Sequence, residues 1–179
     1  MSGRRLLHGG KVFLRRLEES DLERCERWIN MPEIYTIMGV FGPRTRTEQE
    51  VWYRNISTSR TNLVYAVCLA KDGRHIGNLS LFDVNYMHRN AGVTVFIADE
   101  EHRSGGLGLE AVSLACEYAF DYLNMHKLHA KTDNPVAGKL YLKLGFVQEG
   151  VLRQQSYYSG KYVDKILFGL LRDEFVPAN

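Results

Sequence analysis

A chain of 179 residues, 45% hydrophobic and 25% charged, suits one globular domain with a substantial core, spanning residues 1–179. The 23 Lys and Arg against 21 Asp and Glu leave a net charge of only +2, which argues against nucleic-acid binding through a strong overall basic field. No window approaches the ~20 consecutive apolar residues of a membrane span, so neither nucleic acid nor membrane is an expected partner.

The N-terminal "MSGRRLLHGGKVFLRRL" carries arginines but no apolar run of signal-peptide length. Cys25, Cys68 and Cys116 are far apart and form no C-x-x-C, as expected of free thiols in a reducing compartment, and the expected location is the cytoplasm. Lys11 to Leu17 alternates as a first strand. Ser20-Asp21-Leu22-Glu23 has the form of a capping box that opens a helix running to about Asn30, with Pro32 ending it. Thr47-Glu48-Gln49-Glu50 has the same form and opens a second helix carrying Val51, Trp52 and Ile56. "NLVYAVCLA", a turn at Lys71-Asp72-Gly73 and "RHIGNLSLFDV" then read as a hairpin, and "RNAGVTVFIAD" as a further strand.

After a loop rich in glycine, Leu109 to Leu123 places apolar residues on one helical face. "HKLHAKT" reads as a short strand. Asn134 then caps a helix whose first residue is Pro135, and Gly145 stops that helix. "SYYSGKYVDKILFGLL" reads as a closing hairpin turning at Ser159-Gly160. This order of elements is that of a mixed α+β domain, not a repeated β-α alternation.

The stretch "DEEHRSGGLGLEA", Asp99 to Ala111, admits two phosphate-loop readings. Gly106-Leu107-Gly108-Leu109-Glu110-Ala111 fits the dinucleotide pattern G-x-G-x-x-A, but charged residues separate it from the preceding strand. The residues about 20 positions on, Lys127-Leu128-His129, include no carboxylate for a ribose. No Lys-Ser/Thr follows the glycines, which argues against a P-loop. Arg103-Ser104-Gly105-Gly106-Leu107-Gly108 fits R-x-x-G-x-G. Backbone N–H groups around Gly105 and Gly106 at a helix N-terminus would cradle a diphosphate, and glycines allow it to approach without Cβ collisions.

A strand, R-x-x-G-x-G and an amphipathic helix, followed by Asn134-Pro135-Val136-Ala137, Tyr141 and Lys143-Leu144-Gly145-Phe146 in order, resemble the motifs of the GNAT superfamily of acyl-CoA-dependent N-acetyltransferases. The opening "FLRRLEESDLERCERWINMPEI" and the closing hairpin are similar to its bacterial branch of spermidine, ribosomal-protein alanine and amino-sugar N-acetyltransferases. The resemblance runs from Lys11 to Phe175. It implies an α+β fold with a mixed, mostly antiparallel central sheet flanked by helices and a splayed strand pair holding the cofactor. It implies acetyl-CoA as acetyl donor, with Val95, Phe96 and Ile97 offering backbone groups to the pantetheine arm. Arg103, Ser104, Gly105, Gly106, Leu107 and Gly108 would hold the diphosphate, with Asn134 and Lys143 also against the cofactor.

Acetyl transfer to an amine needs a donor for the leaving thiolate, and by its place in the motif Tyr141 is the candidate general acid. Relatives carry a glutamate base early in the strand before the glycine loop. Here that position is Gly92, leaving Asp83, His88, Glu33 or a water chain as candidates. No metal is expected: His126 and His129 are spaced i, i+3 without a further ligand cluster. The expected acceptor is a primary amine of a small molecule, a polyamine or an amino sugar, in a pocket built from Pro32–Arg46 and the Tyr157–Lys161 turn, with Tyr157 and Tyr158 as lining candidates. The alternatives are a protein N-terminus or lysine, or a non-catalytic acyl-CoA-binding module. A homodimer is the assembly the resemblance allows.

Overall fold

The computed structural model describes residues 7–40, 42–158 and 160–178, with the backbone alone for Thr36, Ile37 and Tyr158. Its first strand, β1 (Val12–Arg16), buries Val12 and Leu14 and leads through a short 3-10 turn at Glu19–Asp21 into α1 (Leu22–Ile29). The expected cap at Ser20 is not used. Asp21 ends the turn, and its carboxylate faces inward, accepting from the Glu18 N–H at 2.9 Å and from Arg15 at 2.6 and 2.8 Å. Pro32 does not merely terminate a helix: it opens α2 (Pro32–Met38), an element the sequence pattern had not separated. This is a regular use of proline, whose missing N–H costs nothing in a first turn. The next helix, α3 (Arg46–Thr58), is capped two residues before the expected box, with Thr45 capping the Glu48 N–H and Glu48 reaching back to the Thr45 N–H.

The strands β2 (Leu63–Leu69), β3 (His75–Asn85) and β4 (Asn90–Ile97) form an antiparallel meander. The helix α4 (Leu107–Asp121) follows the glycine loop and leads to β5 (Lys127–Thr132). Asn134 caps α5 (Pro135–Lys143) as its sequence demands, its Oδ1 accepting from the Val136 N–H at 2.8 Å, and Gly145 leaves the helix at φ +92°. The closing hairpin is β6 (Val147–Tyr158) with β7 (Lys161–Leu171). Gly160 in its turn has φ +78°, whereas Ser159 lies outside the described residues. No described helix is long and apolar enough to cross a membrane.

The seven strands form one sheet in the order β1-β2-β3-β4-β5-β7-β6. All neighbours are antiparallel except β4 and β5, which run parallel and pair only at Asn90–Lys127, Ala91–Leu128 and Gly92–His129. Beyond Gly92 the two strands part. The edge of β4 from Val93 to Ile97 is therefore left without a strand partner on the β5 side, in the middle of the sheet.

One sheet face packs on α4 and α5. Val67, Leu79, Leu81, Val93, Leu128 and Ala130 meet Ala111, Ala115 and Ala119, whose i, i+4 spacing lets α4 lie close to the strands. Glu110 anchors the helix start. Its carboxylate accepts from the backbone N–H groups of Gly10, Lys11 and Val12 at 2.9, 2.8 and 2.9 Å, and Lys11 Nζ donates to the Gly105 carbonyl at 2.9 Å. A smaller core of Leu17, Cys25, Ile56, Val64, Ala66 and Cys68 fills the opposite face under α1 and α3.

A buried polar chain crosses that second face. Arg15 grips Asp21, Asp21 meets His75 Nδ1 at 3.1 Å, His75 Nε2 meets Asn78 Oδ1 at 2.8 Å, and Asn78 lies 3.4 Å from Cys25 Sγ. Burial pushes the Asp21 carboxyl up, but the hydrogen bonds from Arg15 and Glu18 and the nearby His75 and Arg15 charges outweigh it and hold the group at about 2. Burial lowers His75 and His129 below the ordinary 6.5. All three folded values lie below the unfolded ones, so acid adds more protons to the unfolded chain and stability falls with pH. The loss is expected to begin below pH 6.5 through the histidines and to deepen from 3.8 towards about 2 through Asp21. Urea midpoints at pH 7, 5 and 3 check this; equal midpoints at pH 7 and 3 would contradict it.

Candidate active site

The parting of β4 from β5 opens a cleft of about 500 Å³ between the two strands, the glycine loop and α5. Every residue expected to bind the cofactor lines it: Val95, Phe96 and Ile97 on the free edge of β4, Arg103 to Gly108 in the loop, and Asn134 and Lys143 at the two ends of α5. Tyr141 is in the same wall.

The loop acquires its shape from two successive left-handed glycines, Gly105 at φ +77° and Gly106 at φ +81°, a conformation that side-chain-bearing residues rarely adopt. Gly106 is the N-cap of α4 and provides no capping side chain. The first-turn N–H groups of Leu107, Gly108 and Leu109 have no intrahelical acceptor, and the positive end of a 15-residue helix points at the cleft. An anion is the natural partner for such an end. Gly108 packs close to Leu140 of α5, an added Cβ lying 3.5 Å from Leu140 Cδ1.

Arg103 has a different posture from the free phosphate donor that the motif suggests. Its Nε and Nη2 donate to the carbonyls of Ile97 and Ala98 at 3.0 and 2.7 Å, and Nη2 lies 3.7 Å from Glu33. The guanidinium thus fastens the loop to the end of β4. The cleft draws further cations that sequence reasoning missed, Lys131 on β5, Lys139 on α5 and Lys165 on β7, which join Arg103 and Lys143 against Asp133 as the one lining acid among the described residues. The i, i+4 spacing of Lys139 and Lys143 was a legible signal; the convergence of Lys131 and Lys165 was not, because it depends on the β5–β7 pairing.

Tyr141 lies at the closed end of the fork. It is 4% exposed, its ring packs on Phe146 and Phe168, and its hydroxyl donates to the Val93 carbonyl at 3.4 Å, one residue beyond the last β4–β5 pair. Burial, with a smaller contribution from Cys116, pushes the phenol well above its ordinary value, so it holds its proton at neutral pH.

A second cavity, about 480 Å³, lies on the other face between α1, α3 and the strands that carry Asn78, Ser80 and Phe96. Phe96 lines both cavities. The walls are mainly apolar, with Ile29, Val51, Trp52 and Val64, and the charges are Arg44 and Glu48, paired at 2.7 Å. The Pro32–Arg46 segment contributes Met38, Val40 and Arg44 to its wall. Among the described residues the closing hairpin contributes nothing to this wall: Tyr157 is exposed, packs on Tyr162 at 4.8 Å and lines neither cavity, and Ser159 and the Tyr158 side chain lie outside the described residues. The pocket's remaining wall comes from α3.

The candidate bases are dispersed. Glu33 is at the Ile97 end of β4, held by Arg103, five residues or about 16 Å of strand from Gly92. Asp83 and His88 are exposed in the β3–β4 hairpin. Gly92 is covered: a Cβ added there would collide with the Phe82 ring.

Residues 11–147 match the acetyltransferase (GNAT) domain family. The chain belongs to the GNAT family. Among its relatives is the spermidine N(1)-acetyltransferase of Vibrio cholerae, 36% identical over 103 residues, a match covering 56% of this chain and 59% of that enzyme. The matched stretch thus spans less than two thirds of the relative's length. The crystal structure of the Vibrio cholerae spermidine N-acetyltransferase in complex with CoA and spermine superimposes with a TM-score of 0.86 at 28% identity, over 93% of this chain and 98% of that one. A dodecameric structure of the same enzyme in an intermediate state aligns at 0.78, with 27% identity, over 92% and 96%.

Proposed function

We propose that this GNAT protein is a single-domain cytoplasmic enzyme that transfers the acetyl group of acetyl-CoA to a primary amine of a polyamine by direct attack. The observation that carries the reading is the fork between β4 and β5, with an uncapped helix N-terminus and five cationic side chains lining its cleft. A polyanionic cofactor with a long neutral arm suits this cleft: its diphosphate at the first-turn N–H groups of Leu107 to Leu109, its amide arm along the free edge of Val95 to Ile97. Bound acetyl-CoA supplies the activated thioester. The chain's own part is to exclude water, orient the arm and hold a proton at the Tyr141 hydroxyl for the departing sulfur.

The acceptor enters from the opposite face, through the cavity that meets the cleft at Phe96. A polyamine alternates ammonium groups with methylene runs. Apolar walls at Ile29, Val51 and Trp52 suit the methylenes, and the Glu48 carboxylate suits a distal ammonium. The polyamine acceptors of the similar enzymes support this choice over an amino sugar or a protein N-terminus. Self-association belongs to the proposal, as a homodimer or a larger assembly like that of the dodecameric relative.

The test is direct. Acetyl-CoA at ~100 times its dissociation constant is expected to stabilise the fold by about 2.7 kcal/mol, with no effect from NAD or ATP. Free-thiol release is then followed with spermidine, spermine, glucosamine and a peptide starting in alanine. Release and acetylated product with the polyamines support the proposal; release with the peptide alone overturns it, and stabilisation by NAD in place of acetyl-CoA overturns the cofactor.

A further inference from the structure

Sheet register places one unengaged imidazole at the floor of the fork. The last pair before β4 and β5 part is Gly92 with His129, and on its other side His129 pairs with Gly169 of β7. Both neighbours in this row are glycines. Phe82 covers Gly92, the Glu149 carboxylate covers Gly169, and the His129 ring stands between them, edge-on to Phe82 with centroids 5.7 Å apart.

The face on which it stands is decided by alternation along the strands. Leu128 and Ala130 are in the core with Tyr141, so His129 is on the opposite face. On β3, Asn78 and Ser80 line the acceptor cavity, and Phe82, two residues further, shares their face and touches His129. The next residues up the same row, Thr94 and Lys131, line the cofactor cleft. His129 lines neither cavity itself; it lies in register with Gly92, one residue before Val93, whose carbonyl accepts from the Tyr141 hydroxyl, so a water is the link between its ring and the fork.

We infer that His129 is the general base of acetyl transfer in this chain, taking the proton of the attacking amine across one water. The inference rests on the amine-acetylation reading above. Its ring is half-buried, and among the described residues no hydrogen bond engages either nitrogen. The other histidines with side-chain partners are engaged elsewhere: His75 by Asp21 and Asn78, His102 by Arg74. Desolvation, with Lys127 and Lys131 on its own strand, lowers the His129 pKa, while Asp83 from β3 and Glu149 from β6 act against this, leaving a neutral, proton-accepting ring at pH 7. Lys127 Nζ is itself held by Glu149 at 2.6 Å.

The step balances. The neutral amine nitrogen bonds to the thioester carbon and the carbonyl pair moves to oxygen. His129 takes the N–H proton, the C–S bond breaks as the oxygen pair returns, and the sulfur takes the Tyr141 proton. Imidazolium and phenolate then exchange one proton through solvent, leaving amide and free thiol.

The experiment compares wild type, His129→Gln, His129→Ala and Asp83→Asn with acetyl-CoA and spermidine, with acetyl-CoA affinity as the measure of an intact site. At neutral pH kcat/KM is expected to fall about 100-fold or more in both His129 variants, the usual range for a general base, while acetyl-CoA affinity is kept. The acidic limb of the wild-type pH profile is expected to disappear, and added imidazole to restore part of the His129→Ala rate. An unchanged pH profile and rate in His129→Gln, or a 100-fold loss in Asp83→Asn with none in His129→Gln, overturns the proposal alone. Acetyl-CoA binding without acetylation of any amine by the wild type overturns the parent reading and this one with it.

Discussion

Tyr141→Phe is expected to lower kcat by about 100- to 10,000-fold, the contribution general acid catalysis makes, with little change in acetyl-CoA affinity. The ring supplies the packing: it fills the space against Phe146 and Phe168 in either residue. The hydroxyl contributes one long hydrogen bond, 3.4 Å to the Val93 carbonyl, so its removal costs little stability. What disappears is the proton at the fork's closed end. Because the thiolate needs that proton only as the tetrahedral intermediate collapses, kcat and kcat/KM fall together. Rapid-quench and steady-state rates with the acceptor found in the thiol-release screen measure this. A rate within about threefold of wild type, well below that contribution, would remove Tyr141 from the mechanism and leave water to protonate the sulfur.

Gly106→Val is expected to weaken acetyl-CoA binding by between about tenfold and about 100-fold. Gly106 has φ +81°, where a β-branched residue carries strain on the order of 1–3 kcal/mol. That strain is relieved if the turn opens, which swings the first-turn N–H groups of Leu107 and Gly108 away from the cleft; at 1.4 kcal/mol per factor of ten, the stated range follows. The fold itself has room: among the described residues the only atom within 4 Å of an added Cβ, chain neighbours aside, is Lys11 Nζ at 3.6 Å. Gly106→Ala should fall between wild type and Gly106→Val, since it shares the φ penalty without the β-branch. Titration calorimetry with acetyl-CoA orders the three proteins. Equal affinities would place the diphosphate away from this turn.

Local chemistry was legible in the sequence wherever a feature is complete within a few residues. Asn134 followed by Pro135 opens α5 because an Asx side chain and a fixed φ start a helix with no help from the rest of the chain, and Gly145 ends it at φ +92° for the same local reason. The glycine turn was likewise readable, since R-x-x-G-x-G states the backbone it needs, with Gly105 and Gly106 both at positive φ. Even here nearby options compete. Ser20 and Thr47 each begin a plausible capping box, yet Asp21 turned inward to Arg15 and His75, and Thr45 took the α3 cap.

Features made by residues far apart in sequence were decided by tertiary structure. No local pattern says that β4 and β5 pair at only three positions, yet that short pairing creates the fork. Among the described residues, the cavity beside Asn78 and Phe96 is closed by α3, while the sheet order puts the β6–β7 hairpin at the edge beyond β5. Lys131, Lys139 and Lys165 become one cationic lining only once β5, α5 and β7 are assembled. His129, spaced three from His126, reads in sequence as an unremarkable strand histidine. It gains chemical meaning from its register with Gly92 and Gly169, because a slip of one residue would turn the ring into the core and bring Leu128 or Ala130 to its place.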